Sequence, residues 1–520
     1  MIKHASSLAL CCGLVVASAT GQVAPAIEWQ QCFGGTGIDR ATDIRSTSDG
    51  GFVCVAYAGS TDGDVSVNQG EFDFWILKFD ATGALQWERT LGGSGTDWAR
   101  SVHQTADGGY VIAGMSESND GDVTGNQGDL DMWVVKVDAD GDLEWQRSLG
   151  GSAPDRAMCV RPTTDGGYVV VGETFSSNGD VSGHHGLYDA WAVKLDAAGV
   201  LQWQNALGGS NYDFAYSVVQ AEDGGYVLAG STGSTNGDVS GNHGGLYDAW
   251  VVKLNAAGTL VWQTTLGGSE WDDVRSIVKD TDGGFFLAGT TGSQDGDAVP
   301  GTNGSDDLWL VKIDATGDLL WQQAFGGSQS DKANAVHRTA DGGCVAVGEA
   351  CSADGDVTGI HGVCDAWVVR VDAAGGLLWQ RTLGGSATDH GTAIVPRSDG
   401  GLLLAGHTES NDHDVSGNHG LVDGWLVKLE GASPTQGVGT TNTMDILITV
   451  DAGGRQATIT SGRALHDATL TLVDLMGRTV LTDRMDGSVH TIRWGALRAG
   501  CYVLRLASEE GVHERRVVLE

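Results

Sequence analysis

Hydrophobic runs alternate with Asp- and Gly-rich segments along most of the chain, and the whole pattern returns every 58 or 59 residues. One period holds four runs: ARSVHQT (99–105), YVIAGM (110–115), MWVVKVD (132–138) and LEWQRSL (143–149). They are short, rich in β-branched and aromatic residues, and divided by turn residues, while no stretch sustains a 3.6-residue period. Each period therefore predicts a four-stranded antiparallel meander, with strands a, b, c and d.

Fixed marks keep step with the period. Gly-Gly pairs stand at 34/35, 92/93, 150/151, 208/209, 267/268, 326/327 and 384/385, and a Trp precedes each pair at 29, 87, 145, 203, 262, 321 and 379. A DGG turn begins at Asp49, Asp107, Asp165, Asp223, Asp282, Asp341 and Asp399. A period this long fits a multi-stranded unit better than a short solenoid repeat.

The ends of the repeat region select its closure. AIEWQQCFGG (26–35) is a strand d with nothing before it, and the last unit stops after its strand c, WLVKLE (425–430). If the first segment completes the last unit, the row becomes a ring with no unfinished sheet edge. The predicted fold is an all-β, seven-bladed propeller over 26–430, closed by its N-terminal strand. A linker at 431–443 and a small β-sandwich at 444–520 follow. Residues 1–19 read as a secretory signal ending in Ala17-Ser18-Ala19, too short for a retained membrane span.

The turns between a and b and between c and d are tight, so one face of the disc is compact and the other carries the long b–c loops and d–a connections. Three repeated acids reach the long-loop face. The d–a connection supplies Asp39, Asp97, Asp155, Asp213, Asp272, Asp331 and Asp389. The b–c loop supplies Asp64, Asp122, Asp180, Asp238, Asp297, Asp356 and Asp414, with Asp120 added in blade two. A D-x-W motif supplies Asp73, Asp131, Asp189, Asp248, Asp307, Asp365 and Asp423. These carboxylates suit two tasks: accepting hydrogen bonds from Gly-rich backbone, or holding calcium through hard oxygen ligands. The sequence leaves both open. A basic residue in every strand c, from Lys78 to Lys428, predicts a repeated ion pair.

The formal charge of -37 excludes nucleic acid as a partner, because the field repels phosphate. Cys351 and Cys364 flank one loop and form a candidate local disulfide.

From residue 444 the Trp period stops, and 445–520 hold 9 Arg and no Lys against 10 acidic residues. LVDLMGRTV (472–480), WGALRAGCYVLRL (494–506) and the terminal GVHERRVVLE resemble the C-terminal sorting domain of proteins exported by the type IX secretion system of Bacteroidetes-like bacteria. The seven upstream units resemble secreted bacterial β-propeller repeats. The resemblance implies export to the medium or the outer cell surface, with the type IX machinery as partner. It assigns Gly477, Arg478, Gly500 and Tyr502 to translocon recognition, with turn and core formation as their alternative role.

The chain lacks G-x-S-x-G, H-E-x-x-H and phosphate-loop motifs, and its acids repeat around the ring, where a single active site breaks symmetry. The residues thus predict a non-enzymatic binding or structural propeller. Loop-face aromatics at Tyr188, Tyr212, Tyr247 and Trp271 fit a glycan or protein ligand, and equally fit packing between blades. The alternative is an extracellular carbohydrate-active enzyme using acidic residues of the loop face.

Overall fold

The computed structural model describes residues 24–297 and 304–431, and beyond them the strands 446–450, 456–474, 479–493, 500–508 and 511–519. The signal segment 1–19, the linker after residue 431, and Gly477 and Arg478 lie outside the described residues. The chain divides into two compact units, 1–432 and 433–520.

The first unit is a seven-bladed propeller of four-stranded antiparallel blades. Blade two is typical: Asp97–Gln104, Tyr110–Ser116, Asp131–Val137 and Leu143–Leu149 pair in chain order. In blade seven the outer strand is the N-terminal Ile27–Phe33, which pairs antiparallel with Asp423–Leu429 and sets Cys32 opposite Trp425. Every blade of the ring thus has four strands, and blade seven is not left with strand c as an unfinished edge.

Two tryptophans per blade explain the period. The Trp of D-x-W is buried between neighbouring sheets, as at Trp75, Trp133, Trp191, Trp309 and Trp367. Its indole N–H needs an acceptor there. Strand d provides one: Trp133 Nε1 donates to Gln146 Oε1 at 2.9 Å, and Trp425 Nε1 donates across the closure to Gln30 Oε1 at 2.9 Å. The Trp of strand d instead covers the next blade's c–d turn. A Cβ on Gly83, which has φ 90°, would lie 2.9 Å from the Trp29 ring, and one on Gly141 2.9 Å from Trp87. Only glycine serves at these turns, for its φ and for its missing side chain.

The basic residue of strand c bonds the Asp of its own blade's DGG turn. Lys78 Nζ lies 2.8 Å from Asp49, Lys194 3.0 Å from Asp165, and Lys428 2.9 Å from both Asp399 and Glu28. These bonds hold Asp49 down at about 2: burial works against the shift, and bonds from Lys78, Thr47 and the Gly51 N–H outweigh it.

In the second unit, Ile446–Val450, Gln456–Asp474, Thr479–Arg493, Gly500–Ser508 and Gly511–Leu519 form one five-stranded antiparallel sheet. Gly500 opens the fourth of these strands, and Tyr502 stands opposite both Asp474 and Val517.

Candidate functional site

Each repeated acid of the loop face holds backbone. The d–a Asp is fully buried in every blade and accepts from the second Gly of the Gly-Gly pair: Gly35 N to Asp39 Oδ2 at 2.9 Å, Gly93 N to Asp97 Oδ2 at 2.8 Å. A hydroxyl from the end of strand b joins it, with Ser60 Oγ 2.5 Å from Asp39, Ser118 Oγ 2.9 Å from Asp97 and Ser176 Oγ 2.7 Å from Asp155. Such Ser/Thr–Asp contacts recur in all seven blades. The loop Asp donates its backbone N–H to the first Gly of the pair, as Asp64 does to Gly34 O at 2.9 Å and Asp122 to Gly92 O at 2.8 Å. Asp120 Oδ1 accepts from Ser94 N at 2.7 Å, and Asn178 and Asn236 do the same for Ser152 and Ser210 at 2.8 Å. Asn replaces Asp there because the position needs an acceptor and not a charge.

The D-x-W Asp accepts from the b–c loop, with Gln69 N 2.6 Å from Asp73 and Gln127 N 2.7 Å from Asp131. In later blades a His closes over it: His419 Nδ1 lies 2.7 Å from Asp423 and His243 Nδ1 2.8 Å from Asp248. Across each junction this Asp faces the d–a Asp of the next blade, with a glycine between them. A Cβ on Gly92 would come 2.4 Å from Asp73 Oδ1 and 2.7 Å from Asp97 Oδ2. Burial, followed by the charges of Asp97 and Asp122, raises Asp73 to about 6; burial, then Asp155 and Asp180, raises Asp131 to about 7. Among the described residues no group of three or more His, Cys, Asp or Glu is arranged to hold a metal ion. Cys351 and Cys364 form a disulfide inside the blade-six loop.

The blades differ along the ring axis, which all seven a strands line. The second residue of strand a is Arg40, Trp98, Arg156, Phe214, Asp273, Lys332 or His390, and its strand-b neighbours include Tyr57, Glu173, Glu349 and His407. Together they form the loop-side mouth of the axial channel. Blades three to five contribute an arc of aromatic rings: Phe175 and Tyr188 at 5.0 Å, Tyr188 and Tyr212 at 5.9 Å, Phe214 and Tyr247 at 6.0 Å, Tyr247 and Trp271 at 4.5 Å. Its ends, Phe175 and Trp271, are 41% and 37% exposed, so ring faces are open to solvent. A second group, Tyr57, Phe72 and Trp98, sits on blades one and two with separations of 5.6–6.2 Å.

Charged groups complete the mouth. Arg156 pairs with Glu173 at 2.5 Å and lies over the Tyr188 ring at 5.6 Å; Arg275 pairs with Asp273 at 3.2 Å. In blades six and seven, His390 Nδ1 bonds Glu349, and the His407 ring lies tilted against His390 at 4.6 Å. Burial works to raise Glu349, but the bond and charge of His390 overcome it and hold the carboxyl below its ordinary range. Burial, then the charges of His390 and Arg40, pushes His407 well below the usual histidine range. A carboxylate bonded to an imidazole beside open aromatic faces has the components for proton transfer on a bound polar ligand. Tyr188, Tyr212, Tyr247 and Trp271 come together here. The channel residues themselves are missed by motif reading, because their signal is the opposite of a motif: positions 2, 4 and 7 of strand a vary, while 1, 3 and 6 hold.

No protein-family model matches the chain. It is similar to the regulatory protein FlaEY of Caulobacter vibrioides, 26% identical over 276 residues, covering 47% of this chain and 29% of that protein, so it spans under a third of that relative's length. Among solved structures it resembles PorZ, a surface component of the type IX secretion system of Porphyromonas gingivalis (10% identity, 90% of this chain and 58% of that one, TM-score 0.38). It also resembles the NanB sialidase of Streptococcus pneumoniae (10%, 78% and 70%, 0.38) and the aldose sugar dehydrogenase of Streptomyces coelicolor (10%, 78% and 99%, 0.34). At these values the likeness speaks for the fold alone. The expectation of a non-enzymatic protein is corrected on the geometry: Ser/Thr–Asp contacts recur in all seven blades, while the pairs Arg156–Glu173 and Glu349–His390 break that symmetry, so acids repeated around a ring are no ground for excluding catalysis. The inference failed because it looked for symmetry breaking in the loop acids, whereas the break lies on the axis.

Proposed function

We propose that the protein is a secreted or outer-surface propeller that binds and acts on an extracellular carbohydrate at the loop-side mouth of its axial channel. The observation carrying this reading is the partly exposed aromatic arc from Phe175 to Trp271, set beside Arg156–Glu173 and Glu349–His390 on an otherwise sevenfold face. Aromatic faces stack on the apolar faces of sugar rings while charged groups fix hydroxyls and orient a reacting bond. The repeated Ser/Thr–Asp contacts, which resemble the Asp-box of carbohydrate-active propellers, support the same class. Glu349 and His390 are the candidate acid–base pair, and Trp271 and Tyr188 the candidate sugar platform.

Export through type IX machinery belongs to this reading, with Gly477, Arg478, Gly500 and Tyr502 as recognition positions. A glycan array and a polysaccharide-turnover screen on the full chain test the ligand. Trp271→Ala should weaken retention at least tenfold with little change in melting, and Glu349→Gln should abolish turnover while retaining binding. A chain that retains no glycan and turns none over would refute the proposal.

A further inference from the structure

The half of the channel nearest the DGG turns is built differently from the mouth. A cavity of about 390 Å³ is lined there by residues of all seven a strands. At the seventh position of strand a, three blades place Val219, Val278 and Val395, whereas the other four place Arg45, His103, Arg161 and His337. The valines show that an apolar side chain satisfies the fold at this position. Packing alone does not call for four basic ones.

A neighbouring acid accounts for one of them: Arg45 Nη2 pairs with Asp43 Oδ1 at 3.3 Å, while Asp43 Oδ2 accepts from Val102 N of the next blade at 3.0 Å. Arg45 Nε is buried with no hydrogen-bond partner among the described residues. Arg161 Nη1 donates to Val160 O at 3.0 Å, and no described carboxylate pairs with its guanidinium. The imidazoles are turned to backbone, with His337 Nδ1 2.8 Å from Arg338 O and His103 Nδ1 3.3 Å from Gln104 O. Burial, then Arg161 and Arg45, pushes His103 down to about 3, and burial with the same two arginines lowers His337. Both arginines therefore act on one shared space, whose lining holds four arginines, Arg45, Arg100, Arg161 and Arg275, against one carboxylate, Asp43, in a chain whose net charge is -37. Cations that outnumber the carboxylates of a cavity lose solvation and repel one another, and an anion relieves both costs. Two guanidinium forks also match the planar, multi-acceptor shape of oxyanions.

We propose that this cavity is a binding site for a small oxyanion, carboxylate, sulfate or phosphate, held between Arg45 and Arg161 with His103 and His337 beside it. None of these four residues takes part in the carbohydrate reading, so the site stands or falls independently of it.

The test is calorimetric and thermal-shift titration of the full chain with sodium acetate, sulfate and phosphate, each against sodium chloride at equal ionic strength. At least one oxyanion should bind saturably. Acetate alone would identify a carboxylate ligand, and phosphate or sulfate over acetate a tetrahedral anion. Arg45→Val and Arg161→Val install the residue that other blades carry, so the variants should fold. Each should weaken anion binding at least tenfold while leaving Trp271-dependent glycan retention intact, and Arg161→Val, which leaves no paired carboxylate behind, should raise the melting point of anion-free protein by removing repulsion. Responses that follow ionic strength alone, or an affinity unchanged in both variants, would overturn the site.

Discussion

Asp73 and Asp97 meet across the Cα of Gly92, so the glycine acts as a spacer between two buried carboxyls. Gly92→Ala would place a methyl 2.4 Å from Asp73 Oδ1, and the turn must move to accept it. The expected loss is about 1–3 kcal/mol, read as a lower denaturant midpoint of the full chain; an unchanged midpoint would mean the junction yields freely. The same junctions set a pH dependence. Asp73 and Asp131 are raised in the folded state to about 6 and about 7, so their contribution is complete below the ordinary value of 3.8 and is lost as pH rises through those values. Asp49 and Asp165, depressed to about 2, contribute above 3.8 and fail only as pH falls through about 2. Melting points should therefore decline from about pH 4 to about pH 7, and Asp131→Asn should flatten that decline. Sequence alone shows that the acids repeat. It does not show which carboxyl faces which, because each pair joins different blades and the facing geometry exists only after the ring closes.

At the scale of the element, Trp29 is the closing contact: it stacks on Phe52 of blade one at 6.3 Å while its strand pairs with blade seven. Trp29→Ala removes a partly buried aromatic and should cost up to about 3–5 kcal/mol. Hydrogen exchange should rise first in Asp423–Leu429 and in the c–d turn around Gly83, which Trp29 covers. Even exchange across all blades would mean the first strand is dispensable. Blade number, strand order and closure were legible because Gly-Gly, DGG and D-x-W recur at fixed offsets, and strand d of blade two begins and ends where its pattern does, at Leu143 and Leu149. Strand a was less legible. It begins at Asp97 instead of Ala99, and its register shifts between Ala99 and Ser101, as at the same place in every other blade. A bulge adds one residue and turns the side chains that follow it, so strict alternation cannot tell which of them reach the axis.

For the whole molecule, charge is sorted by radius and by face. The carboxylates of D-x-W and the d–a connection lie at blade junctions, the lysines of strand c bond the turn acids, and four arginines of the a strands, Arg45, Arg100, Arg161 and Arg275, line the axial cavity. Composition reports only the sum. Two salt effects compete in such a disc. The Lys–Asp pairs are direct bonds of 2.6–3.2 Å with the ammonium almost buried, so a Debye length of about 10 Å at 0.1 M leaves them nearly untouched. The repulsion among acids on different blades acts over distances comparable to that length and is screened. Long-range relief should therefore win, and sodium chloride raised from about 20 mM to about 200 mM should lift the melting point by on the order of 2 °C. The valine variants at Arg45 and Arg161 make the chain more negative, so they should show a steeper rise. A melting point that falls with salt would mean that the ion pairs dominate, and the repulsive picture of the acidic disc would have to be abandoned.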